Sequence, residues 1–214
     1  MSQIKLKHSG GNSVIIAAPD SNPASDVTLK LPQADGSAGQ FMKTDGSGNL
    51  AFAAVSGGIT EVDHFRLSSN LTNSDDGNTI TNWERMGSSI VTGLAAPHGT
   101  GMSVSSGIFT FPSTGKYVIF LIMNAQGGQN DNVQIYHKVT TNNSTYNITT
   151  ASTEGQNDAS GTRMISSPSL SFVDVTDVSQ VKVLFQASSI GSNSTISGGG
   201  NLATNVMFIR IADT

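Results

Sequence analysis

The stretch Gly107-Ile108-Phe109-Thr110-Phe111-Pro112-Ser113-Thr114-Gly115-Lys116-Tyr117, continuing unbroken into Val118-Ile119-Phe120-Leu121-Ile122-Met123, leaves this chain few folds to choose from. Ile108, Phe109 and Phe111 favour strands. Residues 112–115 join a proline of fixed φ to a permissive glycine, so the stretch reads as two strands linked by a tight turn. Successive strand residues point to opposite faces. Tyr117, Ile119, Leu121 and Met123 therefore share one face and Val118, Phe120 and Ile122 the other, and both faces are apolar. An antiparallel strand with one wetted face alternates, so this one is expected to be covered on both sides. Each such side chain left bare forgoes roughly 1.5–3 kcal/mol. No segment has the helical periodicity to supply the second cover, which is expected to come from another copy of the chain.

Downstream segments look built to pair with that run. Val133, Ile135 and Val139 fall on one face of residues 132–139, Tyr146 and Ile148 on one face of a further strand, and Leu170 and Phe172 point together. Val181, Val183 and Phe185 are expected to face inward. Residues 205–211, apolar on both faces except at Arg210, should lie beside the first strand of the inner sheet. With eight or more strands and wide polar turns, the expected architecture is an all-β, two-sheet jelly roll.

The first part of the chain reads differently. Candidate strands at residues 4–7, 13–17, 27–31, 40–43 and 50–52 are short, and Gly, Pro, Asn and Asp dominate the long turns between them. Isolated hairpins are marginal. Residues 1–52 are therefore expected to be a β-rich extension, ordered by sister chains or by a larger assembly. Ile4, Leu6, Val14, Ile15, Val27, Leu29, Leu31 and Phe41 would do the docking. The small residues 53–58 form a linker, and 59–214 the head.

Composition sharpens the picture. Hydrophobic residues make up 36% and charged residues 12%, with 23 glycines, which suits a thin sandwich that gains from burial between subunits. A net charge of −4 with no basic run argues against nucleic-acid binding. There are no cysteines for disulfides or thiolate metal sites. The first residues lack the apolar core of a signal peptide, and no apolar run is long enough to span a bilayer. The chain is therefore expected to be made in a cytoplasm and not to insert in membranes.

Catalytic chemistry needs convergent groups, and the sequence offers none. His8, His64, His98 and His137 fall in four segments without metal-ligand spacing, and read as ordinary surface or strand histidines. Asp75-Asp76-Gly77-Asn78 lacks the spacing and distal Glu of a calcium loop, and Asp174 with Asp177 reads as turn chemistry. The glycine runs lack the lysine and helix of a phosphate loop. The expectation is no enzyme, no cofactor and no metal. What remains is surface: Gln129, Asn130, Asn142, Asn143, Gln156, Asn157 and Asn193, on loops taken to gather at one end of the sandwich, are side chains suited to hydrogen-bonding sugars.

Phe109-Thr110-Phe111-Pro112-Ser113-Thr114-Gly115-Lys116-Tyr117 resembles the F-x-x-P-x-x-G-x-Y hairpin of the complement C-one-q and tumour necrosis factor superfamily. Residues 208–214, 65–67 and 83–85 are similar to versions of that head in marine bacteriophage fibres. Residues 7–13 and 39–50 resemble modules repeated in phage tail fibres and appendages. The resemblance implies a ten-stranded jelly roll forming tight homotrimers, with Tyr117, Ile119, Leu121, Met123, Phe120, Phe208, Ile209 and Ile211 as trimer core and interface. The collagen-like stalk of the complement protein is absent, and residues 4–52 stand in its place. The expected role is a virion structural protein, a tail fibre or appendage whose head binds host glycan or protein and whose extension docks on other virion proteins. A capsid-decorating protein, or a soluble lectin-like one, remains open.

Overall fold

The computed structural model describes residues 3–17, 19–21, 23–54, 58–87, 90, 97–128, 131–155, 163–200 and 203–214, with only the backbone of Gln3 and Val14. The chain forms two compact units, Met1–Gly57 and Gly58–Thr214.

The first unit holds two hairpins. Strands β1 (Gln3–Lys7) and β2 (Ser13–Ala17) place Ile4 opposite Ile16 and Leu6 opposite Val14. Strands β3 (Gln40–Thr44) and β4 (Leu50–Ala54) place Met42 opposite Phe52. Their turn is tied by the Asp45 carboxylate, which accepts from the backbone of Ser47 at 2.7 Å and of Asn49 at 3.1 Å. Residues 27–31, expected as a strand, form only one parallel bridge, between Lys30 and Asn49. Lys30 donates to Gly48 O at 2.8 Å and accepts from Leu50 N at 2.9 Å. The next rung would need an N–H from residue 32, and that residue is a proline.

The second unit is a sandwich of two antiparallel sheets. Its strands are β5 (Glu61–Leu67), β6 (Trp83–Arg85), β7 (Ser103–Ser105), β8 (Ile108–Thr110), β9 (Gly115–Gly127), β10 (Asn132–Thr140), β11 (Asn147–Gly155), β12 (Arg163–Val175), β13 (Lys182–Ser188), β14 (Thr195–Ile196) and β15 (Asn205–Ala212). One sheet runs β11-β10-β13-β8-β7, the other β12-β9-β15-β5-β6, with β14 also on β9. β9 is flanked by β12 and β15, and β15 lies beside β5.

The stretch that reads as a hairpin is not one. β8 pairs with β7 and β13, whereas β9 lies in the opposite sheet, so residues 111–114 turn a corner across the sandwich edge. Each strand carries its own inward apolar row, and two such rows fill one core by facing each other from opposite sheets. Phe111 packs against Tyr117 at the corner, ring centroids 4.7 Å apart and planes tilted by 55°, and the Tyr117 hydroxyl donates to Ser113 O at 3.0 Å. Gly115 (φ 142°) lies against Arg210 and the Ala212 carbonyl, where a Cβ has no room.

The core between the sheets is aromatic. Phe109 of one sheet meets Phe65 at 5.1 Å and Phe208 at 4.9 Å from the other, and Trp83 packs edge-on against Phe185 at 5.3 Å. Tyr117, Ile119, Leu121, Met123 and Ala125 complete it from β9.

Candidate functional site

Strand β12 inverts the usual rule. Ser167, Ser169 and Ser171 point inward and are buried, while the intervening Leu170 and Phe172 point outward, 56% and 60% exposed. A one-residue slip would bury Leu170 and Phe172, but it would also turn the buried Val173 and Val175 outward and Asp174 inward. Val173 and Val175 are buried at the strand's end, and the inward serines have polar partners on the facing sheet, as described below.

The outward face of the six-stranded sheet continues this apolar surface. By register, Phe172, Val118, Ile209 and Val62 form one cross-strand row, and Leu170, Phe120, Met207 and His64 the next. A third row runs Pro168, Ile122, Asn205, Arg66 and Glu84. Val118, Phe120, Ile122, Met207 and Ile209 are only half-exposed because neighbouring strands shelter them. Pro168 sits in a strand at the end of its sheet, where a missing N–H costs no inner rung. Polar groups bound the patch: Lys116 opposite Asp174 at one end, Asn124 opposite Ser166 at the other, and the Arg66–Glu84 ion pair at 2.7 Å on the side of β6. An exposed apolar face rimmed by polar groups makes this the candidate site.

The structure divides the residues expected to form a trimer core and interface. Tyr117, Ile119, Leu121, Met123 and Phe208 are at most 1% exposed and belong to the chain's own core, out of reach of a partner. Phe120, Ile209 and Ile211 are outward on the uncovered sheet face, Ile211 at its margin. In the first unit, Ile4, Leu6, Ile15, Val27, Leu29, Leu31 and Phe41 are all exposed, and Val14 is described only by its pairing with Leu6.

The polar loops do not gather at one end. Successive connections of an antiparallel sheet alternate ends, so residues 141–146, between β10 and β11, lie opposite the loop that precedes β10. Asn142 is spent on its own turn: its Oδ1 accepts from Ser144 N at 3.0 Å and Thr145 N at 2.9 Å. Asn143 (φ 53°) donates its N–H to Gln180 O in the neighbouring loop. Asn193 lies at the other end, its N–H on the Asp131 carboxylate at 3.0 Å. Gln129, Asn130, Gln156 and Asn157 lie outside the described residues.

Two polar clusters escaped sequence reading. His137, expected as an ordinary surface or strand histidine, is a strand residue that is fully buried, its Nε2 2.8 Å from Ser169 Oγ and its Nδ1 2.9 Å from Ser171 Oγ. Ser152 extends the network to Ser169 at 2.6 Å, and Thr149 to Ser171 at 3.1 Å. The signal was present: His137 falls on the inward phase of Val133, Ile135 and Val139. Burial pushes its pKa down to about 4. His137 is fully buried and Ser169 only 8% exposed, between the two sheets. The second cluster is Asp63, 3% exposed, which accepts from Arg85 Nε at 3.1 Å and Met102 N at 2.7 Å; Arg85 also donates to the Met102 carbonyl and lies over the Phe65 ring. Among the described residues, no three of His, Cys, Asp and Glu come together as a metal site.

No protein-family model matches the chain, and no curated protein matches it in sequence. Solved structures do. The Eiger TNF of S. frugiperda superposes with a TM-score of 0.54 at 11% identity, over 72% of this chain and 93% of that one. Murine APRIL superposes with a TM-score of 0.50 at 11% identity, over 70% and 98%. The fold is thus a two-sheet jelly roll similar to that of tumour necrosis factor-like proteins.

Proposed function

We propose that the head is a non-enzymatic binding module that assembles as a homotrimer through the outward face of its six-stranded sheet. The observation that carries this reading is the apolar outward row of Leu170 and Phe172, 56% and 60% exposed, continued by Val118, Phe120, Met207 and Ile209, an arrangement that favours the outward face being covered. The jelly-roll likeness supports three copies rather than two. The test is the mass of the full chain by light scattering: the expected result is three times the monomer, and a monomer overturns the proposal. Phe120→Glu, at the centre of the face, should dissociate the trimer without unfolding the head.

The finer reading is a virion fibre or appendage of a tailed phage, in which the trimer presents its loops to a host surface and the first unit anchors it. It rests on the resemblance of residues 7–13 and 39–50 to fibre modules, and on the exposed apolar side chains of β1 and β2. Weak single-site binding would be raised by three-fold avidity. Labelling the protein on intact particles tests it: few copies at the tail are expected, and a dense array over the shell would make it a decoration protein.

A further inference from the structure

The connection between β5 and β6 lines a cleft of about 160 Å³ along residues 69–82. Main-chain bonds hold its walls. Ser68 N donates to Asn82 O at 2.9 Å, Leu71 N to Ile196 O of β14 at 2.9 Å, and Ile80 N to Phe185 O of β13 at 2.9 Å. Leu71 and Ile80, 5% and 2% exposed, root the connection in the core of the head. The cleft is therefore formed before any ligand arrives, which lowers the cost of binding.

Four polar side chains in these walls share one arrangement. Each has one end tied to the chain and another that makes no hydrogen bond to any described residue. Asn70 Oδ1 accepts from Gly198 N at 2.8 Å, which leaves its Nδ2. Asp75 Oδ2 accepts from Thr72 N at 2.8 Å, which leaves Oδ1. Asn78 Nδ2 donates to Ser74 O at 3.3 Å and Asn82 Nδ2 to Ser69 O at 2.9 Å, and both leave Oδ1. Asn82 Oδ1 is moreover buried without a donor, a condition that native proteins rarely leave uncompensated.

We infer that this cleft binds one neutral sugar unit, with Asp75, Asn78 and Asn82 accepting from its hydroxyls through Oδ1 and Asn70 Nδ2 donating to it. A sugar carries several hydroxyls close together, each both donor and acceptor, which matches three acceptors beside one donor. The Asp75 carboxylate disfavours an anion such as phosphate or an acidic sugar. A calcium ion takes roughly six to eight oxygen ligands, with carboxylates among them, and this cleft has one carboxylate. The volume falls below the roughly 300–1,000 Å³ of pockets for drug-sized ligands, which suits a single ring. The inference rests on the reading of the head as a binding module and adds a site and a ligand class to it. Each head carries the whole cleft, so the trimer is not required.

Saturation-transfer NMR on the full chain with glucose, galactose, mannose and N-acetylglucosamine, each at millimolar concentration, tests it. Transfer to at least one of these sugars is the expected result. Asn78→Ala should weaken that binding about tenfold, and Thr81→Trp, at an exposed position of the cleft wall, should abolish it. Both sites are exposed, so unchanged thermal unfolding will show that the fold is kept. Asn143→Gly, in a loop away from the cleft, should bind as the unmodified chain does. No transfer to any of the four sugars overturns the inference, and so does transfer that survives both cleft variants. Calorimetry with calcium chloride alone gives a third arm: calcium binding that Asn78→Ala removes overturns the ligand class. Light scattering reads the trimer separately, so a monomer that binds sugar through the cleft overturns the trimer and supports the cleft.

Discussion

Nε2 of His137 on β10 lies 2.8 Å from Oγ of Ser169 on β12, a hydrogen bond joining the two sheets inside the sandwich. Ser171 takes the other ring nitrogen at 2.9 Å, so a neutral imidazole, donating from one nitrogen and accepting at the other, is fully satisfied. The same pairing explains how β12 can turn serines inward. The buried polar row has partners, and the apolar row is released to the surface.

His137 should make folding stability depend on pH. Burial lowers its pKa from 6.5 to about 4. The unfolded chain takes up its proton near pH 6.5 and the folded chain only near 4. The contribution is therefore complete above pH 6.5, declines as pH falls between those values, and levels off below about 4. The loss amounts to about 3 kcal/mol. Urea unfolding at neutral and acid pH measures it. His137→Gln should be less stable at neutral pH by about 1–3 kcal/mol and should lack this decline.

Arg85→Ala should destabilise the head by about 3 kcal/mol, because it strips the ion pair from a carboxylate that is 3% exposed. Met102 N would remain on Asp63, so the 97–102 loop should loosen without the whole sheet melting. Hydrogen exchange at residues 97–102, compared with β9, distinguishes local from global loss.

Gly115→Ala should lower thermal stability by about 1–3 kcal/mol. Its φ of 142° lies outside what L side chains adopt, and the added methyl meets Arg210 and the Ala212 carbonyl. Gly46→Ala, also at positive φ (81°) but with nothing near the added methyl, should cost less, and the comparison separates crowding from strain.

Neighbouring residues of β9 should behave oppositely. Ile119→Ala opens a cavity in the head's core and should cost about 2–5 kcal/mol of folding stability. Phe120→Ala changes only the outward face, so it should weaken association several-fold while leaving the monomer's fold intact. Dilution followed by light scattering reads the second effect, and denaturant unfolding the first.

Strand positions were legible in the sequence because side-chain alternation is local: the inward phases of β9, β10 and β13 follow from residue order alone, and the apolar second face of β9 announced itself as Val118, Phe120 and Ile122. The Pro112–Gly115 link also showed its turn chemistry. Which sheet each strand would join was not legible, since a proline-glycine turn closes a hairpin and a sandwich corner with the same residues. Residues 27–31 misled for a related reason: their alternation is that of a strand, but the ladder stops where Pro32 has no N–H to donate.

The sequence by itself determined an all-β chain, the inward phases of β9, β10 and β13, and the two-faced character of β9, because each depends on neighbours within a few positions. Tertiary structure alone decided that β12 turns its serines in, that His137 and Ser169 meet, that Asp63 is paired, and that Asn142 serves its own loop. Those outcomes depend on which side chains, tens of residues apart, arrive on facing sheets. A polar row is tolerated inside only when its partners stand opposite, and that is a property of the register between sheets rather than of any one strand.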